Sequence, residues 1–295
     1  MEGTHINYLQ PKTMQELQEG LSSLSEESVI LAGGTDLMPH IRSCRPHIDT
    51  FLSLCKLKEM QGIIEQDGWI RIGAMVTHAE ISLDTRIKKY FNALLSACAQ
   101  VGSQQIRNKG TIGGNLVNAN PAGDILPCLM LFNCEMETFS AVGVSKRIGV
   151  NSFLTELGKP SLGRHEVLTA IWLPIDCDKK SCFVKLGSRR EVTIAQISLC
   201  LSWEKSGNRY DSIEAYMGAV DVRPLKIEEA QEVLGNNPLR TESMDALSEM
   251  LSEKIRAIRM RRKHESKLKV MDCEKLYKER AVKGVVYDAI AYMKE

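Results

Sequence analysis

Two pairs of adjacent glycines, each led in by an apolar run and followed by small polar residues, constrain this chain more than any other feature. The first lies in Ile30-Leu31-Ala32-Gly33-Gly34-Thr35-Asp36-Leu37. The second lies in Thr111-Ile112-Gly113-Gly114-Asn115, after Gln105-Ile106-Arg107-Asn108-Lys109-Gly110. A strand that ends in two glycines can turn tightly and approach a bulky ligand with no Cβ in the way. Amides exposed in such a turn, with a hydroxyl beside them, make a concave donor set suited to phosphate. For one Gly-Gly pair alone a plain strand–turn is the commoner reading, and neither stretch is a GxGxxG or Walker A motif. Asp36 also works against a simple anion trap unless its carboxylate turns away or binds a sugar hydroxyl. Two such segments together suit a pyrophosphate held from both sides, with Asp124 accepting from ribose or ribityl hydroxyls. The competing reading of Asp124 is a cap on a helix over Ile125 to Leu131.

Length and composition bound the rest. A chain of 295 residues, 43% hydrophobic and 25% charged, is an ordinary globular protein of two or three compact units. Its net charge of +1 gives no general reason to expect nucleic acid or an anionic membrane as partner. The longest strongly apolar stretch, Ile125 to Phe132, is far short of the ~20 residues needed to cross a bilayer. The start, Met1-Glu2-Gly3-Thr4-His5, lacks the basic and apolar regions of a secretory signal, so the expected location is cytoplasmic.

Periodicity predicts a helix from Met14 to Leu24 with Thr13 as N-cap, and strands at Ser28 to Leu31, Thr50 to Leu54 and Trp69 to Ala74. Helices are predicted at Ala79 to Leu83, Phe91 to Val101 and Ile125 to Leu131, then β segments near Glu135 to Phe139 and Glu166 to Leu173. The polar run Pro174 to Lys180 marks a domain boundary. Beyond it Cys182 to Leu186, Ile194 to Trp203 and Ser212 to Val220 read as three strands of an antiparallel sheet, and the region from Lys226 onward as mostly helical. Strands and helices in mixed order favour an α+β fold.

The nine cysteines form no CxxC pair, and their odd number with no export signal argues for reduced thiols. Small buried apolar residues are the favoured reading of them, and no metal is expected on the chain. Arg256, Arg259, Arg261, Arg262, Lys263, Lys267 and Lys269, interrupted by Glu253 and Glu265, read as one solvated helix face; an acidic partner is the minority reading. The histidines at 40, 47, 78, 165 and 264 show no metal-ligand spacing.

The two glycine segments, in this order and spacing, resemble the FAD-contacting segments of the FAD-binding (medium) subunit of the molybdenum hydroxylases, the group of xanthine, nicotinate and carbon monoxide dehydrogenases. The similarity continues through Glu166-Val167-Leu168, Lys185-Leu186-Gly187-Ser188-Arg189-Arg190, Ile194-Ala195, Met217-Gly218-Ala219-Val220 and Arg223-Pro224. The resemblance implies FAD-binding subdomains at 1–55 and 56–175 (the PCMH/VAO-like FAD fold) and a C-terminal α+β domain at 176–295. It implies a cofactor-binding set of Val29, Ile30, Leu31, Ala32, Gly33, Gly34, Thr35, Asp36, Leu37, Val101, Ile106, Thr111, Gly113, Gly114, Asn115, Asp124, Leu168 and Lys185. Within that set Thr111, Gly114 and Asn115 would face the pyrophosphate, Val101 and Leu168 the rings, and Lys185 the isoalloxazine. No residue of this chain is expected to act as a catalytic acid, base or nucleophile. The partners implied are a molybdopterin-binding large subunit and a small subunit with 2Fe–2S clusters, with NAD⁺ as acceptor and an N-heteroaromatic compound as substrate. Val192-Thr193 stand where relatives often place an acidic residue before the Ile-Ala pair. A self-sufficient FAD-dependent oxidase or reductase of the same fold superfamily, and an assembly subunit without cofactor, are the alternative readings.

Overall fold

A computed structural model describes residues 6–156, 159–207, 209–235, 239–265 and 272–294, which fall into two units. The expected features at Met1–His5, Lys267 and Lys269, and the side chains of Lys263, His264 and Glu265, lie outside what is described.

The first unit comprises residues 1–83, 103–120 and 132–175. Three short strands form a parallel sheet in the order Asn7–Leu9, Thr50–Ser53, Val29–Leu31, with Tyr8 opposite Phe51 and Ile30 opposite Leu52. The helix Met14–Ser22 begins where Thr13 accepts from the Glu16 amide, and it buries Leu17, Gly20 and Leu21. Gly20 belongs there because a Cβ would lie 2.9 Å from Leu52 Cδ1. A five-stranded antiparallel sheet follows in the order Ile63–Gln66, Trp69–Gly73, Glu166–Pro174, Glu135–Ser140, Ser145–Gly149. Its first hairpin turns on Asp67 and Gly68, both at positive φ, as a two-residue turn between right-twisted strands requires.

The second unit comprises residues 84–102, 121–131 and 176–295. Its sheet runs Lys180–Gly187, Ala195–Ser206, Arg209–Gly218, Leu225–Lys226. The expected three strands thus gain a fourth, a two-residue edge directly after the Arg223-Pro224 pair. One set of alternate residues, including Cys182, Val184, Leu199, Leu201, Ala215 and Met217, forms a core with Leu247, Leu251, Val286 and Ile290 of the helices Thr241–Glu265 and Asp272–Lys294. The other set meets Asn92–Ala99 and Leu126–Leu131: Ser181 Oγ accepts from the Ala93 amide, and Cys200 Sγ lies 3.5 Å from Cys128 Sγ. That explains why Ala195–Ser206 reads as a nearly continuous buried run rather than an alternating one, since both faces are covered. It also explains why residues 84–102 and 121–131, expected in the second FAD-binding subdomain, pack with the C-terminal sheet.

Among the described residues no helix is long and apolar enough to cross a membrane. Of the cysteines, Cys98, Cys128, Cys134, Cys182 and Cys200 are buried as expected, whereas Cys44, Cys55 and Cys177 are exposed. In the basic run Arg256 and Arg261 are exposed, as expected of a solvated face, while Arg259 is largely enclosed. Arg256 and Arg259 both bind Glu279, which is 6% exposed, and Arg261 and Arg262 reach Asp221.

Candidate functional site

The strand Val29–Leu31 ends at the carboxyl edge of the parallel sheet, the edge where ligands bind in open α/β sheets. Ala32-Gly33-Gly34 then bends the chain into the helix Leu37–Cys44, with Gly34 at φ +71°. Gly33 presses on the second glycine segment: a Cβ on it would sit 2.0 Å from the Lys109 carbonyl oxygen. The two segments, far apart in sequence, therefore touch within one unit. Among the described residues the N–H groups of Gly33, Gly34, Thr35 and Asp36 have no acceptor, which leaves a curved row of donors. Asp36 is exposed and its carboxylate makes no cap on the helix it precedes, so it does not block that row.

The second segment is built differently. The expectation was a turn; the structure makes Ile112–Asn118 a helix, N-capped by Thr111, whose Oγ1 accepts from the Gly114 amide. Thr111 is also bridged to Thr77, the Ile112 amide donates to Val76, and the Gly113 amide donates to Ala74. A Cβ on Gly113 would lie 2.6 Å from both Ala74 Cβ and Ala74 O, so this glycine is required by packing. Gly114 faces otherwise: its Cβ would meet only Thr111 Oγ1 at 3.0 Å and Ala32 Cβ at 3.6 Å. Beside it Asn115 Oδ1 is buried with no partner. A side chain is missing where only the Thr111 hydroxyl stands close, and a buried acceptor is unsatisfied next to it. Both fit a polar ligand lying over Thr111, Gly114 and Asn115, with open amides facing it from Gly33 to Asp36. FAD has what these groups call for: its diphosphate offers charge and acceptors to the open amides, and its hydroxyls can donate to Asn115 Oδ1.

The structure brings Val29 to Leu37, Ile106, Thr111, Gly113, Gly114, Asn115 and Leu168 into the first unit. Leu168 is buried on Glu166–Pro174 beside a bulge. Val101, Asp124 and Lys185 belong to the second. There the Lys185 ammonium lies 2.6 Å from Asp124 Oδ2 and also donates to the Gln100 carbonyl. The side chains of Lys185 and Asp124 are 4% and 7% exposed. Burial pushes the Asp124 carboxyl up to about 6 against the pull of Lys185. Asp124 thus pairs with a strand lysine rather than capping the helix that follows it, and its Oδ1 has no partner.

One residue beside the glycine segments was missed by the sequence reading. His78 opens the helix His78–Leu83 after a reciprocal cap, in which the Thr77 amide donates to Glu80 and the Glu80 amide to Thr77. Its own amide donates to the Gly110 carbonyl, and its ring is 2% exposed with Nδ1 unpartnered. Burial, and then the Arg107 charge, hold its imidazole down to about 4, so it is neutral. The Thr-x-x-Glu pattern marked the helix start, but nothing in the sequence placed His78 against Gly110.

Known proteins resemble this chain in sequence and in fold. Residues 4–176 match the family described as the FAD-binding domain in molybdopterin dehydrogenase. The chain is 30% identical over 258 residues to the nicotinate dehydrogenase FAD subunit of Eubacterium barkeri, covering 85% of this chain and 86% of that protein. It is 25% identical over 232 residues to the xanthine dehydrogenase FAD-binding subunit of Escherichia coli O157:H7, covering 78% and 79%. In fold it is similar to a chain of the carbon monoxide dehydrogenase of Oligotropha carboxidovorans, with a TM-score of 0.83 at 22% identity over 99% of this chain and 98% of the other. The chain belongs to the FAD-binding domain family of molybdopterin dehydrogenases, and it is a flavin-binding component of an oxidoreductase of that type.

Proposed function

We propose that this chain carries electrons from the iron–sulfur clusters of a small partner subunit to NAD⁺, while a molybdopterin-binding large subunit hydroxylates an N-heteroaromatic substrate. When bound, FAD supplies the exchange between single electrons and hydride that joins those centres. The residues of this chain bind and orient it. The Gly33 to Asp36 amides donate to the diphosphate from one side, the Thr111 hydroxyl donates to it from the other, and Asn115 Oδ1 accepts from a cofactor hydroxyl beside it. Ile106 and Leu168 contribute apolar surface. Within the second unit Lys185 holds Asp124 Oδ2 and leaves Oδ1 open as an acceptor. The observation that carries this reading is Gly114, a glycine in a helical turn whose Cβ would meet no backbone outside its helix, only the Thr111 hydroxyl at 3.0 Å and Ala32 Cβ at 3.6 Å, beside the open amides of the first segment. The 30% likeness to a nicotinate dehydrogenase subunit supports a pyridine-type substrate.

The test is purification of the native complex, with measurement of its flavin content and of NADH formation on nicotinate, xanthine and hypoxanthine. NADH formation that requires all three subunits is the expected result. Turnover by the isolated chain would instead make it a self-sufficient flavoenzyme, and a colourless complex would remove the cofactor role altogether.

A further inference from the structure

Gly110 lies between two side chains that come from different parts of the first unit. A Cβ on it would be 3.2 Å from His78 Cδ2 and 3.3 Å from Thr35 Oγ1, so the imidazole edge and the Thr35 hydroxyl flank one point. Thr35 belongs to the row of open amides, and His78 is therefore next to the wall of the cradle while itself enclosed. Its Nδ1 is buried with no acceptor or donor opposite it. The charge that faces it from a neighbouring element is Arg107, on Gln104–Arg107. On its own helix Glu80 is occupied by the Thr77 amide and hydroxyl, and Lys109 and Asp36 stand exposed on the two segments. In the protein alone the positive field of Arg107 and the lack of water keep a proton off the ring. A diphosphate among the open amides brings negative charge to the same place and reverses that balance.

We propose that His78 couples cofactor binding to proton uptake, its imidazole taking a proton from solvent when a dinucleotide diphosphate occupies the cradle. The only bond formed is N–H on the open ring nitrogen, and the bound anion compensates the new positive charge. This rests on the FAD reading above and goes beyond it by giving the cradle a pH-dependent affinity. His78 acts as a positioning residue, through Gly110 and Thr35.

Calorimetric titration of the full chain with FAD, in two buffers of different ionisation enthalpy, tests this. Proton uptake on binding is expected at pH 5.5 and not at pH 7.5. The FAD dissociation constant should be about two- to nine-fold lower at pH 5 than at pH 7, the size of effect a shift of one to two units from about 4 in one group produces. The His78→Gln variant should still bind FAD but lose both effects; His78→Asn serves as a second neutral replacement. Absence of proton uptake by the wild-type chain, or its persistence in either variant, overturns the proposal while leaving FAD binding intact. Failure of the wild-type chain to bind FAD at either pH defeats the underlying reading as well, so the two failures are told apart. Absence of uptake by the wild-type chain is decisive by itself; assignment of any uptake to His78 rather than to Asp124, held at about 6, comes from whichever of the two neutral variants folds.

Discussion

The two glycine segments share a sequence theme, an apolar residue, two glycines and a polar side chain, yet the fold uses them in opposite ways. In the loop from Gly33 to Asp36 the amides are left open and the chain turns freely into a helix. In the segment from Thr111 to Asn115 the amides are consumed by Ala74, Val76 and Thr111, and what is left over is a missing side chain at Gly114 and a buried, unsatisfied amide oxygen on Asn115. Within each pair the glycines also differ. Gly33 and Gly113 are demanded by backbone and Cβ atoms of the protein itself, Gly34 by its positive φ, and Gly114 only by the capping hydroxyl of Thr111, 3.0 Å from where its Cβ would stand. A glycine in a helical turn costs roughly 0.5–1 kcal/mol relative to alanine, so one with only a hydroxyl close to it points to a ligand. The pair is thus a poor unit of interpretation; the individual glycine is the informative one.

This contrast can be broken by substitution. The largest effect is expected at Gly33, where alanine would overlap the Lys109 carbonyl. Gly33→Ala should lower the stability of the first unit by about 3–5 kcal/mol, because backbone rather than a side chain must move. Unchanged thermal unfolding would mean that the two segments do not touch.

Next in size is an acid effect centred on His78. Its imidazole is held down to about 4 by burial and Arg107, so the unfolded chain binds the proton more readily. The stability from the neutral ring is present in full above about 6.5 and is withdrawn as the pH falls from there to about 4, by roughly 3 kcal/mol in all. Asp124, pushed up to about 6 by burial, works in the opposite direction, its contribution declining as pH rises from about 3.8 to about 6. The measurement is therefore the difference in urea unfolding between wild type and His78→Gln from pH 7 to pH 4. A difference that does not change with pH would contradict the assigned burial of the ring.

A smaller loss, about 1–3 kcal/mol, is expected for Gly113→Ala, where Ala74 must yield by several tenths of an ångström. Should Gly113→Ala prove as harmless as a substitution at Gly114, the distinction between the packing glycine and the ligand glycine would be lost.

Much of the architecture could be read from the sequence where the signal was local. Thr13 with Met14, Leu17 and Leu21 announced the first helix. The hairpin at Asp67-Gly68 was equally local, a strong turn signal that pointed to the unpredicted strand Ile63–Gln66. What was not legible depended on contacts distant in sequence. The helix Ile112–Asn118 looks like a turn because its first residues are glycines, and only the hydroxyl of Thr111 and the carbonyls of Ala74 and Val76 secure it. Asp124 looked like a cap because its helix follows directly, and Lys185, from a strand sixty-one positions on, is what it meets. His78 carried no motif of its own beyond the helix start.

The central claim is that Gly114 is a glycine for the sake of the cofactor. Its most direct test is a paired measurement on the full-length chain and Gly114→Ala: thermal unfolding of the cofactor-free proteins, and flavin absorbance after titration with FAD. The expected result is one FAD per wild-type chain, apo stability of the variant within about 1 kcal/mol of wild type, and greatly weakened FAD uptake by the variant. A Gly114→Ala protein that turns as yellow as the wild type, at the same FAD concentration and with the same stability, would contradict the account.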